Sequence, residues 1–328
     1  MKNILTVVID AGARFGLHPT WKTFNGELQY FMFDPDTRET DRLKLKYKHR
    51  ENEIFVYDKP LTKVDDESFV INYFKNRAMS SSSVRNELTE LFKNQRKDQV
   101  EIESSKTYVG VSIDTFCKEN NLAVDFLKLD TEGSEYDILN GASHQLEKNI
   151  LGVRSEIAFD NVFENKPLFS EINTFMLKLN FFLLNIDYAG RGDNQSEFID
   201  PCKRYGILTN SDGVWLKRYD LVISEEKDEL SKVVKTLKYG YFCILNNAPD
   251  VAIKTLLDGK NRYGLDYSVC NGTALLKNLQ IAMKKHLYSL KWIPSQNLES
   301  HYELYREIFN EEMEKLDDFM ASIELNPN

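Results

Sequence analysis

The sequence is poor in cysteine and has no long apolar run. Its cysteines lie far apart, which excludes the paired spacing of a zinc site and favours reduced residues that pack in the core. No stretch approaches the ~20 consecutive apolar residues of a membrane span, and the N-terminal run over residues 4–9 is too short for a signal peptide. These absences predict a cytoplasmic protein without a membrane span. The four cysteines are Cys117, Cys202, Cys243 and Cys270.

Positive charge is scarce relative to negative charge. The chain has 42 lysine and arginine residues against 51 aspartate and glutamate residues, a net charge of -9 at pH 7. Such a surface repels nucleic acid phosphates, so we expect no nucleic acid partner. Hydrophobic residues make up 42% of the 328 residues, which is enough for a large core. At roughly 100–200 residues per domain, this length predicts two domains.

Strand-like and helix-like segments alternate over the first two-thirds of the chain. Short β-branched or aromatic runs are typical of buried parallel strands, and the apolar residues between them recur at helical spacing. The alternation predicts an α/β fold with a mainly parallel sheet and flanking helices. Strands are predicted over residues 4–9, 28–33, 54–57, 69–73, 126–129, 153–159, 181–186, 213–216 and 221–224, and helices over residues 115–120 (capped by Asp114), 134–146 and 170–179.

The pattern changes near residue 225. Strand signals become few, and helices are predicted over residues 229–245, 250–257, 272–290 and 300–323, with an irregular connector over 259–272. We therefore predict a ligand-binding domain over residues 1–222 and a helical region over 223–328. The helical region is rich in aromatic residues, which pack in its core, stack on the rings of a sugar or form the face of a homodimer. These residues are Tyr239, Tyr241, Phe242, Tyr263, Tyr267, Tyr288, Trp292, Tyr302 and Tyr305.

Two acidic turns follow the first two predicted strands. Asp10 ends the first strand, and Gly12 and Gly16 permit a tight turn that leads into a short helix. The spacing is not GxGxxG, so the dinucleotide fingerprint is excluded. Asp34 follows the second strand, where a carboxylate accepts hydrogen bonds from ribose hydroxyls. Strand ends meet at one edge of a parallel sheet, so these turns predict one ligand site; unliganded turns are the alternative.

The strongest cluster of polar residues is the run FLKLDTEGSE, residues 126–135. A buried strand delivers Asp130, Glu132 and Glu135 at its carboxyl end and at the start of the next helix. Acids favour the first turn of a helix, but three of them exceed what a cap requires. The alternative interpretation is that Asp130 is a structural acid that pairs with Lys128 or with backbone amides.

At this point the sequence resembles the FkbM family of S-adenosylmethionine-dependent methyltransferases. The resemblance covers roughly residues 4 to 190: VVIDAGARFG is similar to the family's cofactor loop, DFLKLDTEGSEYDILNGA to its hallmark segment, and residues 79–83 to its Ser-Ser element. Arg14 departs from the family, since a small or amide residue is commoner there. The resemblance implies a Rossmann-like class I methyltransferase fold with a C-terminal helical extension, and S-adenosylmethionine as cofactor. The predicted cofactor contacts are Asp10, Gly12, Ala13, Gly16, Asp34, Pro35 and Asp130.

The family implies O-methylation, often of a sugar hydroxyl, so we predict a small-molecule or glycan acceptor. A hydroxyl is a poor nucleophile and gains from a positioned base. Asp130 or Glu132 is predicted to be that base. Glu156, inside an apolar strand, needs a partner if it is buried; it would hold the acceptor or share a divalent metal with Asp130. We predict catalysis by Asp130, Glu132 and Glu156 without a metal.

Two other function classes remain as alternatives. The first is a non-catalytic binding or scaffold protein on the same fold, against which the intact acids argue. The second is a NAD-dependent oxidoreductase, against which the missing GxGxxG and YxxxK patterns argue. The residues do not identify the acceptor, because acceptor pockets are built from loops and extensions.

Overall fold

The computed structural model describes residues 4–22, 24, 27–86, 101–192 and 207–290. The predicted helix over residues 300–323, Cys202 and three of the C-terminal aromatic residues lie outside these ranges; the three are Trp292, Tyr302 and Tyr305. Among the described residues, none of the helices has both the length and the apolar character that crossing a bilayer requires.

The central element is a seven-stranded, mostly parallel sheet in the order β3-β2-β1-β6-β7-β9-β8. Strand β3 pairs with β2, β1 with β6 and β6 with β7 in parallel, whereas β9 is antiparallel to both β7 and β8. The predicted α/β fold class is therefore confirmed. The sheet strands are β1 (Thr6–Ala11), β2 (Leu28–Phe33), β3 (Ile54–Tyr57), β6 (Phe126–Leu129), β7 (Gly152–Ala158), β8 (Phe181–Gly192) and β9 (Ile207–Lys217).

Two further strands form a separate antiparallel hairpin sheet, β4 (Ser68–Phe74) with β5 (Ile102–Val109). The hairpin is joined to the loop after β2, because the Tyr108 hydroxyl donates to the carbonyl of Pro35 at 2.8 Å and lies 2.6 Å from the Tyr73 hydroxyl. Strand β5 was missed in the sequence because its IESSKTYV run is exposed over most of its length. No buried apolar alternation marks it.

The described residues form α-helices on the flanks of the sheet and in the C-terminal region. The predicted helices over 170–179, 229–245, 250–257 and 272–290 are confirmed, with small shifts of their ends. The helices are α1 (Thr37–Lys46), α2 (Ile113–Glu119), α3 (Glu135–Asn140), α4 (Ser143–Lys148), α5 (Phe169–Lys178), α6 (Tyr219–Ser224), α7 (Glu229–Leu245), α8 (Pro249–Tyr263) and α9 (Ala274–Leu290).

Several predicted elements were wrong in detail. The segment 221–224 is helical, since a short apolar run does not distinguish helix from strand. The connector over 259–272 begins late, because α8 continues to Tyr263. The short helix after the glycine loop is a single 3-10 turn, Pro19–Trp21.

The predicted helix over 134–146 is broken at Gly141. A Cβ on this residue would lie 2.1 Å from the carbonyl oxygen of Thr62, so the close approach requires glycine. Asp114, predicted to cap α2, instead accepts hydrogen bonds from the amides of His144 and Gln145 at the start of α4. The cap of α2 is Ser112, whose Oγ accepts from the amide of Thr115 at 3.1 Å.

The period of two along the strands places alternate residues on opposite faces of the sheet. Residues such as Ile9, Leu127 and Leu129 belong to the main core cluster, which the flanking helices cover. Asp10 and Lys128 alternate with them and are register partners on adjacent strands. The same alternation that builds the core therefore places a carboxylate and an ammonium side by side on the opposite face.

The chain divides into two compact units. One contains the described residues within 7–19 and 28–218, and the other those within 1–6, 20–27 and 219–328. In the second unit, Tyr239, Tyr241, Phe242 and Tyr267 are buried, as core packing requires. The predicted domain boundary at residue 222 and the homodimer through the C-terminal helices stay predictions. Three of the cysteines are unpaired and buried, as predicted: Cys117, Cys243 and Cys270.

Candidate functional site

Two adjoining cavities lie at the carboxyl ends of β1, β2, β6 and β7. The larger, about 300 Å³, is lined by Gly12, Asp34, Pro35, Asp130 and Glu132 among others. The smaller cavity, about 140 Å³, is lined by Glu132, Glu156 and Asn210 together with Tyr136 and Phe163. Glu132 lines both cavities. The structure therefore brings most of the predicted site residues together around two spaces that share one carboxylate.

The glycine loop after β1 forms one wall of the larger cavity. Gly12 has a φ of +78°, and a Cβ there would lie 1.7 Å from the carbonyl oxygen of Asp130. The amides of Gly12 and Ala13 both donate to the carbonyl of Phe33, at 2.9 and 3.2 Å. Ala13 and Gly16 are buried in the loop. Only Gly12 of the three predicted contacts borders the cavity, whereas the other two shape its wall.

Asp10 is fully buried, and its carboxylate has internal partners. The Tyr30 hydroxyl donates to Oδ2 at 2.7 Å, and the Lys128 ammonium lies 3.0 Å from Oδ1. Burial raises the pKa of Asp10, while Lys128 and Tyr30 oppose that rise. Oδ2 thus accepts a hydrogen bond from Tyr30, and Oδ1 has the Lys128 ammonium as its ion-pair partner. The predicted contact between Asp10 and a cofactor stays a prediction. In the structure, Asp10 forms an ion pair with Lys128.

Lys128 connects the glycine loop with the acids after β6. Its ammonium lies 3.0 Å from Asp10, 3.3 Å from Asp130 and 3.3 Å from the carbonyl oxygen of Gly12. Burial alone would lower the pKa of Lys128, but Asp10 and Asp130 outweigh it and raise the pKa, which keeps the group charged. The pairing of Asp130 with Lys128, which the sequence left as an alternative, is present. The Asp130 side chain is nevertheless 49% exposed and borders the larger cavity.

The acidic turn after β2 is organised by Arg14. Its Nη2 lies 2.8 Å from Asp36 and its Nε 3.8 Å from Asp34, and Asp34 also accepts the amide of Asp36 at 2.8 Å. Burial raises the pKa of Asp34 to about 6, although Arg14 opposes this. Burial also acts on Asp36, but the hydrogen bond from Arg14 outweighs it and lowers the pKa of Asp36. The departure at Arg14 is therefore accommodated by two carboxylates, and Asp34 and Pro35 still line the cavity.

The loop after β6 turns sharply at Glu132 and Gly133, with φ of 57° and 102°. The Glu135 carboxylate accepts hydrogen bonds from Thr131 N (2.7 Å), Thr131 Oγ1 (2.8 Å) and Gly133 N (3.1 Å). Ser81 and Ser83 donate to the carbonyls of Glu132 and Gly133. Glu135 and the serine run thus hold the loop backbone, and Glu132 is the acid that borders both cavities.

Asp130, Glu132 and Glu156 form a compact acidic cluster. Each offers a carboxylate oxygen that lies within 4.8 Å of the other two. Burial raises the pKa of Glu132 to about 8, and Asp130 and Glu135 add to the rise. Burial also raises the pKa of Glu156 well above its usual range, and its Oε1 accepts a hydrogen bond from Asn210 at 3.0 Å. The cluster can therefore hold a proton near neutral pH. Its spacing also suits a divalent cation, so the metal-free mechanism stays a prediction.

Some lining residues were not found in the sequence. Asn210, on β9, contacts Glu156 across the sheet, and Phe69, Ile71 and Tyr73 of the hairpin line the larger cavity. Arg77, in the 3-10 turn Arg77–Met79, lines it as well. These residues carry no local motif, because their place depends on chain segments that are far apart in sequence.

Comparison with known proteins identifies one family that this chain matches. The sequence model of one family, described as Methyltransferase FkbM domain, matches residues 10–183, more than half of the chain. None of the curated proteins compared matches this chain. The matched range contains Asp10, Asp34, Asp130 and Glu156, and it ends before the C-terminal helices.

Three solved structures are similar in fold. An FkbM methyltransferase from Methylobacillus flagellatus KT is 15% identical, with a TM-score of 0.37, over 64% of this chain and 44% of that one, so the similarity spans less than half of that protein. A putative RNA methyltransferase from Pyrococcus horikoshii is 12% identical, with a TM-score of 0.33, over 64% of this chain and 74% of that one. TrmK of M. capricolum, solved in complex with S-adenosylhomocysteine, is 12% identical, with a TM-score of 0.29, over 86% of this chain and 91% of that one.

Proposed function

The chain belongs to the FkbM methyltransferase family, and from that premise we propose that it transfers the methyl group of S-adenosylmethionine to a hydroxyl of a small molecule or glycan. The observation that carries the proposal is the position of Glu132, whose carboxylate borders two adjoining cavities. The donor occupies the larger cavity and the acceptor the smaller one. Glu132 then stands where the two substrates meet.

The residues of the larger cavity fit the donor. Asp34 offers a carboxylate for ribose hydroxyls, and Gly12 allows the ligand to approach the backbone closely. Asp130 supplies a carboxylate at the cavity wall that would stabilise a sulfonium cation. The volume of about 300 Å³ lies at the lower end of the ~300–1,000 Å³ typical of small-molecule sites.

The smaller cavity suits a hydroxylated acceptor. Glu156 and Asn210 supply hydrogen-bonding groups, and the rings of Tyr136 and Phe163 supply apolar walls against which the faces of a sugar ring can pack. Lys166, which also lines this cavity, is paired with Asp137 at 3.1 Å. The combination of carboxylates, an amide and aromatic rings supports a polyol acceptor.

The protein's contribution to the chemistry is alignment and proton transfer. S-adenosylmethionine supplies a methyl group on a good leaving group, so an aligned nucleophile is the main requirement. Glu132 accepts the hydroxyl proton as the oxygen–carbon bond forms and the carbon–sulfur bond breaks, which leaves a methyl ether, S-adenosylhomocysteine and a protonated Glu132. A pKa of about 8 makes this carboxylate a stronger base than an ordinary glutamate. The sheet edge fixes its position.

The donor assignment is tested by calorimetric titration of the protein with S-adenosylmethionine and, separately, with NAD. We expect micromolar binding of the methyl donor and no heat from NAD, because the loop lacks the GxGxxG spacing. Binding of NAD alone would support the oxidoreductase alternative. A folded protein that binds neither ligand would support the scaffold alternative.

Binding at Asp34 is expected to depend on pH. Ribose hydroxyls donate to the ionised carboxylate, and the pKa of Asp34 in the free protein is about 6. The dissociation constant for S-adenosylhomocysteine should therefore rise as the pH falls below about 6, by up to about tenfold per unit, and level off above it. This ligand lacks the sulfonium charge, so ionisation of Glu132 has little influence on the titration.

The matched control is Asp34→Asn, which keeps the shape but removes the ionisable group. We expect it to weaken binding about ten- to hundredfold at pH 8 and to abolish the slope near pH 6. A slope that persists in this variant would show that another group controls binding.

A further inference from the structure

Arg77 is a half-buried cation at the wall of the larger cavity, and one of its donors is buried and unused. Its side chain is 20% exposed, its guanidinium stacks on the ring of Tyr73 at 4.5 Å, and its Nη2 lies 2.5 Å from Glu103. Its Nε–H is buried and has no hydrogen-bond partner among the residues that the structure describes. Arg77 follows β4 directly, so the hairpin and the start of the serine run hold it at the cavity wall.

A buried guanidinium donor without a partner is unfavourable, because it has lost its water without gaining an acceptor. Glu103 engages a different nitrogen, and the Glu103 side chain is 52% exposed. Such a donor at the wall of a cavity therefore indicates an acceptor on a ligand. Among common anionic groups, carboxylate and phosphate best match the planar guanidinium fork of arginine.

The other cations that line this cavity are placed differently. Arg14 is paired with Asp36 and lies near Asp34, and Lys59 is exposed. S-adenosylmethionine contains one anionic group, the carboxylate of its methionine portion. We propose that Arg77 binds this carboxylate through its Nε–H. The inference rests on the proposed function, since it requires the methyl donor to occupy the larger cavity.

The test compares two ligands that differ only in this carboxylate. S-adenosylmethionine and decarboxylated S-adenosylmethionine are titrated into the wild-type protein and into Arg77→Met by calorimetry. The wild-type protein should bind the complete donor about ten- to hundredfold more tightly than the decarboxylated one, as for a hydrogen bond between charged groups. In Arg77→Met the two ligands should bind with equal affinity, at the level of the decarboxylated donor in the wild-type protein.

The decarboxylated ligand also controls for folding, since a misfolded variant would lose both ligands. Arg85→Met is the matched control, because Arg85 stacks on Phe74 of the same strand and is not among the residues that line the larger cavity. It should leave both affinities unchanged. No change in either affinity in Arg77→Met, or an equal loss of both in a variant whose unfolding midpoint matches that of the wild-type protein, would overturn the inference.

The outcome for the wild-type protein separates this inference from the function. A wild-type protein that binds both ligands equally overturns the role of Arg77 and leaves the methyl donor site intact. A wild-type protein that binds neither overturns the proposed function, and the inference with it.

Discussion

Glu132→Gln is expected to reduce methyl transfer by about 10²–10⁴-fold while the affinity for S-adenosylhomocysteine changes little. Glutamine keeps the shape of the side chain and its place between the two cavities, but it has no basic oxygen that can take the hydroxyl proton. The measurement is transfer of a labelled methyl group from S-adenosylmethionine to an acceptor selected from sugars and polyols. Calorimetry on the same sample checks that the donor site is intact.

The pH profile provides an independent readout of the same residue. A base must be ionised to accept a proton, and the pKa of Glu132 is raised to about 8. In the wild-type protein, kcat/KM should therefore rise about tenfold per pH unit below 8 and become constant above it. Glu132→Gln should lose this rise. A variant with residual activity that keeps the wild-type profile would assign the base to another group.

The neighbouring acids decide between a base and a metal ligand. Asp130→Asn and Glu156→Gln alter the other two members of the cluster, and each should lower activity less than Glu132→Gln if Glu132 is the base. Asp130 is paired with Lys128, and Glu156 accepts from Asn210. If the three acids together held a metal, all three variants and a strong chelator would abolish activity. Activity that survives the chelator is the result we expect.

Lys128→Met is expected to lower the free energy of unfolding by about 3–5 kcal/mol, the range for removing one partner of a buried ion pair. The side chain of Lys128 is 11% exposed and that of Asp10 is 1% exposed, so Asp10 would remain as an unpaired charge in the interior. The glycine loop would also lose the bond from Lys128 to the carbonyl of Gly12. Chemical denaturation at pH 7 measures the loss.

Two further measurements separate charge from packing. Asp10→Asn in the Lys128→Met background should recover much of the stability, because no charge is then left buried. The single variant should also become more stable as the pH is lowered from 8 to 5. Without Lys128 the raised pKa of Asp10 rises further, so the folded state takes up a proton that the unfolded state does not. Equal losses in the single and double variants would attribute the effect to packing.

Much of the fold could be predicted because the strands and most helices carry local signals. Strand β6 is a buried apolar run, and α7 repeats its apolar residues at helical spacing. The errors have two causes. A short apolar run is compatible with both a helix and a strand, and the run over residues 221–224 is the helix α6. The exposed strand β5 has no apolar alternation by which it could be recognised. One predicted helix is interrupted at Gly141, where the backbone of Thr62 approaches closely. Such a contact joins distant segments and leaves no local trace.

The acids that reach the edge of the sheet could be read from the sequence, because each lies near or just after the carboxyl end of a strand and parallel strands end at the same edge. The sequence also determined the need for glycine at position 12, since the motif places a tight turn there. Only the tertiary structure decided which acids are free to act. Asp10 is paired with Lys128 and Tyr30, and Glu135 accepts hydrogen bonds from loop amides. Glu132 instead borders both cavities. The physical reason is that burial and partner choice depend on residues brought together from distant parts of the chain.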